Sequence, residues 1–280
     1  TAINLTVTID PGTEIENLIG SDHADSLTGN DLANHLQGGL GDDSLFGLKG
    51  ADTLLAEGDA ATNTLDGGSG DDLYEFHTAS ALTTTILIED SGRVALGLAA
   101  GGGTDTIDLS ALNGIVTIDL SQIGFQTITL RHKIALRDSA VASSDYFENI
   151  IGSSSAPNTI TSNAADNHIT GGTSGDTYIF ASAAFGTDTI VDSVITAFDT
   201  IDMSALTAPI DLLIGTTNLL LTTSFGGSLT ASRIEDVLLG DGDDYVHFAT
   251  LGSTPATIDG GLGTNTLDGD PADTGGVTNF

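Results

Sequence analysis

From residue 20 to residue 75 the chain repeats itself with a period of nine, and this period constrains the fold more than any other feature. The stretch divides into GSDHADSLT, GNDLANHLQ, GGLGDDSLF, GLKGADTLL, AEGDAATNTLD and GGSGDDLYE, with two extra residues in the fifth repeat. One position holds Asp25, Asn34, Asp43, Asp52, Asn63 and Asp72, and two residues further on stand Leu27, Leu36, Leu45, Leu54, Leu65 and Tyr74. The first half of each repeat is built of Gly, Asp and Asn, which tolerate positive φ and make tight turns. The second half reads as a three-residue strand with one apolar side chain turned inward. Turn, strand, turn, strand closes a coil of about 18 residues between two thin parallel sheets. Leu27, Leu45 and Leu65 are expected on one sheet, and Leu36, Leu54 and Tyr74 on the other. The fold class is therefore all-β, a parallel β-roll or β-helix solenoid.

Turns one coil apart stack on the same edge, which sets Asp25 above Asp43, and Asn34 above Asp52 and then Asp72. Carboxylates at strand spacing repel by roughly several kcal/mol per pair at an effective dielectric of about 20. A dication between them turns that repulsion into attraction. Gly-rich turns also aim backbone carbonyls at the ion, completing the oxygen shell that calcium prefers, whereas Mg²⁺ demands a tighter octahedron and keeps its waters. The candidate ligands are Asp25, Asn34, Asp43, Asp52, Asn63 and Asp72, with Gly38 and Gly47 in the turns and Asp176 and Asp244 later in the chain. Repeats with Asn at the Asp position are expected to hold ions weakly or not at all.

Composition supports this. Asp and Glu number 39 against six Lys and Arg, a formal net charge of −33, yet 39% of residues are hydrophobic and the mean hydropathy is +0.15. A disordered acidic chain would be poor in Ile, Leu and Val. The acid is thus carried on a folded scaffold whose self-repulsion something must neutralise. With so few cations, nucleic acid is excluded as a partner, and no apolar run is long enough to span a bilayer. The absence of Cys fits an extracellular chain stabilised by metal rather than disulfides.

The repeats resemble the GGxGxDxUx nonapeptide of repeat-in-toxin proteins, a calcium-binding parallel β-helix motif. GGLGDDSLF and GGSGDDLYE match it in full, while GLKGADTLL has Leu48 at the second Gly. A longer similarity overlies the nonapeptides: IENLIG (15–20) returns as FENIIG (147–152) and IEDVLLG (234–240), GGSGDDLYEF as GGTSGDTYIF (171–180), and GTDTIDLSAL (103–112) as FDTIDMSAL (198–206). The chain thus holds about two and a half copies of one module. This arrangement is similar to the C-terminal domain of serralysin-type secreted proteases and to large bacterial surface repeat proteins. The resemblance implies a β-roll, bound calcium and type I secretion.

The expected organisation is leading strands and a calcium-binding roll over 1–76, a β-strand insertion over 77–146, a second, degenerate roll over 147–180, a further insertion over 181–233 and a third, partial roll over 234–280. The insertions alternate apolar and polar residues in ILIED, VTIDLS and TITLRHKIAL. In the second copy Asn158 and Asn167 replace acid, leaving Asp176 as its one good repeat aspartate. Both ends fall inside a module, so the chain is expected to be part of a longer repeating polypeptide or a protomer joined head to tail with its copies.

Nothing in the sequence points to catalysis. There is no H-E-x-x-H zinc motif and no nucleophile elbow. The His residues at 23, 35, 77, 132, 168 and 247 never reach ligand spacing. Arg131, His132, Lys133 and Arg137 make the one basic stretch, a contact point for acidic neighbours on adjacent coils, another copy of the chain or an acidic glycan. An ice-binding face would need outward Thr and Asn in register, but the strand exteriors carry Ser, His, Thr, Gln, Phe and Glu. The expected function is that of a non-enzymatic, calcium-stabilised structural module of a secreted bacterial surface, matrix, adhesin or filament protein. Its partners would be calcium ions, copies of itself and surface glycans. The alternative is the calcium-folding carrier domain of a larger secreted enzyme or toxin.

Overall fold

The computed structural model describes residues 4–57, 60–77, 84–89, 103–122, 124–137, 147–192, 197–215, 218–248, 257–269 and 277–278. The chain divides into two compact units: unit 1 is 1–113 with 122–151, and unit 2 is 114–121 with 152–280. Among the described residues every regular element is a β-strand, and no helix is long and apolar enough to cross a membrane.

Unit 1 is wound as the nine-residue period requires. One sheet runs β1 (Thr6–Thr8), β3 (Ser26–Thr28), β5 (Ser44–Lys49), β7 (Thr62–Ser69), β9 (Thr84–Glu89) and β13 (His132–Arg137), all parallel, with β12 (Phe125–Thr127) antiparallel on β13. The other runs β2 (Asn17–Ile19), β4 (His35–Gln37), β6 (Thr53–Ala56), β8 (Leu73–Phe76), β10 (Thr106–Asp108) and β14 (Asn149–Ile151), parallel throughout. From β1 to β10 successive strands alternate between the two sheets, one on each side of every coil. The register stacks inward side chains in columns: Leu27 on Leu45 on Leu65, and Leu36 on Leu54, Tyr74, Ile107 and Ile150. Each is at most 1% exposed, which is worth about 1.5–3 kcal/mol per side chain against solvent. The columns continue into the region read as an insertion, since β9, β10 and β13 prolong the same two sheets.

Unit 2 repeats the plan. One sheet is β11 (Val116–Asp119), β15 (Asn158–Thr161), β17 (Thr177–Ile179), β19 (Thr200–Asp202), β23 (Asp236–Leu238), β25 (Thr257–Asp259) and β27 (Val277–Thr278), all parallel. The other holds β16 (His168–Thr170), β18 (Thr187–Val191), β22 (Ser228–Ser232), β21 (Asn218–Thr223), β20 (Ile210–Ile214), β24 (Tyr245–Phe248) and β26 (Thr266–Asp268). Here β20, β21 and β22 form an antiparallel meander set into an otherwise parallel ladder. Ile160, Tyr178, Ile201, Val237 and Ile258 form its fully buried column.

Two local features differ from the sequence reading. The basic stretch is split by strand alternation: Arg131 and Lys133 are exposed, but His132 is 4% exposed with Nδ1 2.8 Å from Thr129 Oγ1. Burial holds its pKa below the usual imidazole range, so it adds no charge to the surface. The Arg137 side chain lies outside the described residues. The second turn position is left-handed in three of the repeats, with Gly39 at φ +95°, Leu48 at +87° and Gly68 at +102°. A branched side chain at that φ is strained, by about 1–3 kcal/mol.

Leu48→Gly is therefore expected to raise stability in calcium by about 1 kcal/mol, seen as a higher melting temperature by calorimetry. An unchanged or lower melting temperature would show that no strain is stored at this turn.

Candidate functional site

The polar residue that opens each strand does not point into solvent. Asp25, Asn34, Asp43, Asp52, Asn63, Asp72, Asp176 and Asp244 are all at most 3% exposed. The tight turn before them bends each side chain back along the edge of its own coil, where one oxygen meets the backbone of the preceding coil. Asp43 Oδ1 accepts from Asp25 N at 2.9 Å, and Asn63 Oδ1 from Asp43 N at 2.9 Å. On the opposite edge Asp52 Oδ1 accepts from Asn34 N at 2.7 Å, Asp72 Oδ1 from Asp52 N at 2.8 Å, and Asp105 Oδ1 from Asp72 N at 2.8 Å. Glu148 ends this line by accepting from Asp105 N through Oε2 at 2.8 Å. Each edge of unit 1 is thus a ladder of side-chain rungs between stacked turns.

The other oxygen lies over the first glycine of its repeat. A Cβ on Gly38 would meet Asp43 Oδ2 at 2.3 Å, one on Gly47 would meet Asp52 Oδ2 at 2.2 Å, and one on Gly67 would meet Asp72 Oδ2 at 2.3 Å. Gly38 and Gly47 lie outside the left-handed region, so the first glycine is required for space rather than for φ. Their carbonyls point to the same kind of place one coil earlier: Gly38 O is 2.1 Å from the missing Cβ of Gly20, beside Asp25 Oδ2 at 2.6 Å, and Gly47 O is 2.7 Å from that of Gly29, beside Asn34 Oδ1 at 2.2 Å. Side-chain and carbonyl oxygens from two coils thus converge over Gly20, Gly29 and Gly47. This all-oxygen donor set suits a hard dication.

Several of these oxygens have no donor. Oδ2 of Asp52, Asp72, Asp188, Asp199 and Asp244 is buried without a hydrogen-bond partner. A buried charged oxygen left in that state costs more than the about 1–3 kcal/mol of a neutral group, so a proton or a cation must occupy the space. The titration reflects this. Burial pushes Asp52 up to about 7, Asp72 to about 8, Asp188 to about 7 and Asp244 to about 6, and raises Asp176 and Asp199, against the lowering effect of the backbone N–H donors. Asp25 differs: burial raises it, but donors at Leu5 and Ser21 outweigh that and hold it low.

The candidate residues fall into separate groups. Asp25, Asp43 and Asn63 share one edge of unit 1, and Asn34, Asp52 and Asp72 the other. In unit 2, Asp176 precedes β17 and Asp244 precedes β24, so they stand at strands of different sheets. Asp176 is not the lone repeat aspartate of its region. Asp188 Oδ1 accepts from Asn167 N at 2.8 Å, and Asp199 Oδ1 from Asp176 N at 2.7 Å, both from the stretch read as an insertion. Glu235 closes that line at Asp199 N, 2.9 Å, as Glu148 does in unit 1. The signal for these residues was present as Asp-Thr-Ile at 105–107, 188–190 and 199–201, the second half of the nonapeptide, with the repeat's inner glycine kept as Gly103 and Gly186 before the first two.

Asn behaves as a self-sufficient substitute. Asn34 Nδ2 donates to Ile15 O at 3.2 Å and Asn158 Nδ2 to Ser153 O at 3.1 Å, while their Oδ1 atoms accept from Asn30 N and Ser153 N. Asn63 is the exception, with Nδ2 buried and lacking a protein acceptor.

Residues 19–54 and 55–74 match the RTX calcium-binding nonapeptide repeat (4 copies), a family that binds calcium ions. The chain therefore carries RTX repeats over this span. The match stops at residue 74, and the likeness to serralysin-type C-terminal domains rests on sequence motifs alone. Comparison with curated proteins returns no match.

Two outcomes follow from the buried carboxylates. Asp72→Asn keeps the Oδ1 acceptor and removes the charge, so it is expected to stabilise the calcium-free chain at pH 7.5 and destabilise the calcium-loaded one, by about 1–3 kcal/mol each way. Chemical denaturation in chelator and in calcium reads both, and the same sign in both would sink the assignment. The second outcome concerns pH. An aspartate in an unfolded chain titrates at about 3.9, whereas burial pushes Asp52, Asp72 and Asp244 up to between about 6 and about 8, so at these groups the folded, calcium-free chain binds more protons than the unfolded one. Its stability is greatest below the unfolded value and falls as pH rises through the folded values. With calcium the order reverses, because protons then compete with the ion. Melting curves across that window, with and without chelator, should slope in opposite directions.

Proposed function

We propose that this chain, with its RTX calcium-binding repeats, is a calcium-stabilised structural module of an extracellular bacterial surface, matrix, adhesin or filament protein. The observation that carries this reading is the double use of each ladder carboxylate. One oxygen is a rung between backbones of adjacent coils, and the other faces the oxygen-lined space over the first glycine. Asp25, Asp43, Asp52 and Asp72, with the carbonyls of Gly38 and Gly47, would hold the ions. A calcium ion there supplies charge neutralisation between stacked coils. Binding and winding of the roll are then one process.

An ion bound only by the folded state adds RT ln(1 + [L]/Kd), about 2.7 kcal/mol per site at 100-fold saturation. Several sites would together dominate the stability of a chain of net charge −33. Such a module would fold where calcium is plentiful, and RTX proteins are typically secreted by bacteria. We assign it no reaction, because the acidic groups are engaged in the edges of the coils rather than gathered with a base or nucleophile. Exposed Arg131 and Lys133 offer a small cationic contact for an acidic glycan or another copy of the chain.

Circular dichroism tests the reading directly. Chelation of calcium is expected to remove β signal, chiefly from residues 20–75, and readdition to restore it. A spectrum and melting temperature indifferent to chelator would rule out a structural role for calcium.

A further inference from the structure

Outside the matched repeats, unit 2 gathers Asp176, Asp192 and Asp199 into one buried group. One carboxylate oxygen of each lies within 4.8 Å of the others, and the three residues are 1%, 4% and 0% exposed. Asp176 and Asp199 are consecutive rungs of the ladder before β17 and β19. Asp192 arrives from elsewhere. It follows β18 just as Gly171 follows β16, and the register Thr170↔Val191 sets it directly over Gly171. In the regular repeat that position is a glycine offering a carbonyl; here it offers a carboxylate.

Three observations besides the clustering point to a ligand. Asp199 Oδ2 is fully buried and has no hydrogen-bond partner. The space over Gly171 is a cradle, since a Cβ there would meet Tyr178 Oη at 2.1 Å, Asp176 Oδ2 at 2.5 Å and Asp192 Oδ2 at 2.9 Å. Tyr178, fully buried, donates its hydroxyl to Asp192 Oδ2 at 3.2 Å and so fixes that carboxylate toward the cradle.

We infer that Asp176, Asp192 and Asp199 form a further calcium site, held in place by Tyr178, that the nonapeptide pattern does not specify. All its donors are hard oxygens, with no His or Cys, which favours calcium over zinc and its neighbours. Three carboxylates closing on one buried space leave little room for the water shell that Mg²⁺ retains. This site rests on the calcium reading of the fold, and it gives the Asn-rich part of the chain an ion of its own.

Tyr178 makes the site visible. Terbium replaces calcium at oxygen sites and emits when excited through a nearby tyrosine. In the full chain, Tyr178→Phe is expected to remove one component of tyrosine-sensitised terbium emission. Asp192→Asn should weaken binding of that component on the order of ten-fold or more, and the double variant should lose nothing further. Native mass spectrometry should count fewer calcium ions on Asp192→Asn. Asp192→Ser, which keeps an acceptor for the Tyr178 hydroxyl, gives the same readings should the Asn variant fold poorly. Asp72→Asn should lower emission independently and additively. Emission and ion count untouched by the Asp192 variants, with the Asp72 response intact, would overturn the site and leave calcium in unit 1 standing. No terbium or calcium response in any variant would overturn both.

Discussion

The hydrogen bond from a turn N–H to the carboxylate of the next coil is the interaction on which the rest of this structure depends. A three-residue strand has few ladder hydrogen bonds and one inward side chain, too little to hold a sheet in register alone. The rungs supply what is missing. Asp52 N on Asp72, Asp72 N on Asp105 and Asp105 N on Glu148 lock four successive coils at the point where each turn enters its strand. Because the acceptor lies two residues before the inward Leu, Tyr or Ile, the same bond that fixes the edge also aligns the column behind it. Loss of a rung would release both.

That solution gathers charge where solvent cannot screen it. Rungs one coil apart carry like charges, and Asp52, Asp66 and Asp105 all push the Asp72 carboxyl upward in addition to its burial. Two species can relieve this. Protons do so one at a time and vanish as pH rises toward neutrality; calcium neutralises a pair and also collects the carbonyls over the first glycines. Protons and calcium therefore impose opposite responses to pH on the fold, a consequence of where the second oxygen points.

Much of this was legible in the sequence, and the reason is geometric. A period of nine fixes which residues stack, so the two Leu columns, the two acidic edges and the parallel winding of residues 20–75 could be read directly. What was not legible depends on half-repeats. Asp105, Asp188 and Asp199 keep the Asp-Thr-Ile that makes a rung and a strand, but stand outside the tandem run of 20–75, so the nine-residue period does not reach them even though Gly103 and Gly186 precede the first two. Glu148 and Glu235 occupy the same register with a longer arm. Asp192 stands where the pattern has glycine, and only the register of β16 on β18 brings it to Asp176. His132 was misread because a run of basic residues looks like a surface, whereas strand alternation sends its second member inward beside Ile134 and Leu136.

The exchange of Asp for Asn along the ladders then has a physical meaning beyond weaker binding. An amide brings both an acceptor and a donor, so Asn34 and Asn158 complete the turn with bonds to Ile15 O and Ser153 O and leave no oxygen in need of a cation. A carboxylate such as Asp52 or Asp72 in the same place completes the rung but leaves Oδ2 without a donor. Each Asp with such an unmet oxygen is thus a coil whose closure depends on the medium, and each bonded Asn is one that closes by itself. Unit 2 mixes the two on one edge, with Asn158 resting on Asp176 and Asp176 on Asp199. There the neutral rung also serves its acidic neighbour, since Asn158 donates both its backbone N–H and its Nδ2 to Asp176 Oδ1, at 2.7 and 2.8 Å. A ladder that begins neutral and gathers charge toward Asp199 concentrates the demand for an ion at one end, where Asp192 and Tyr178 meet it.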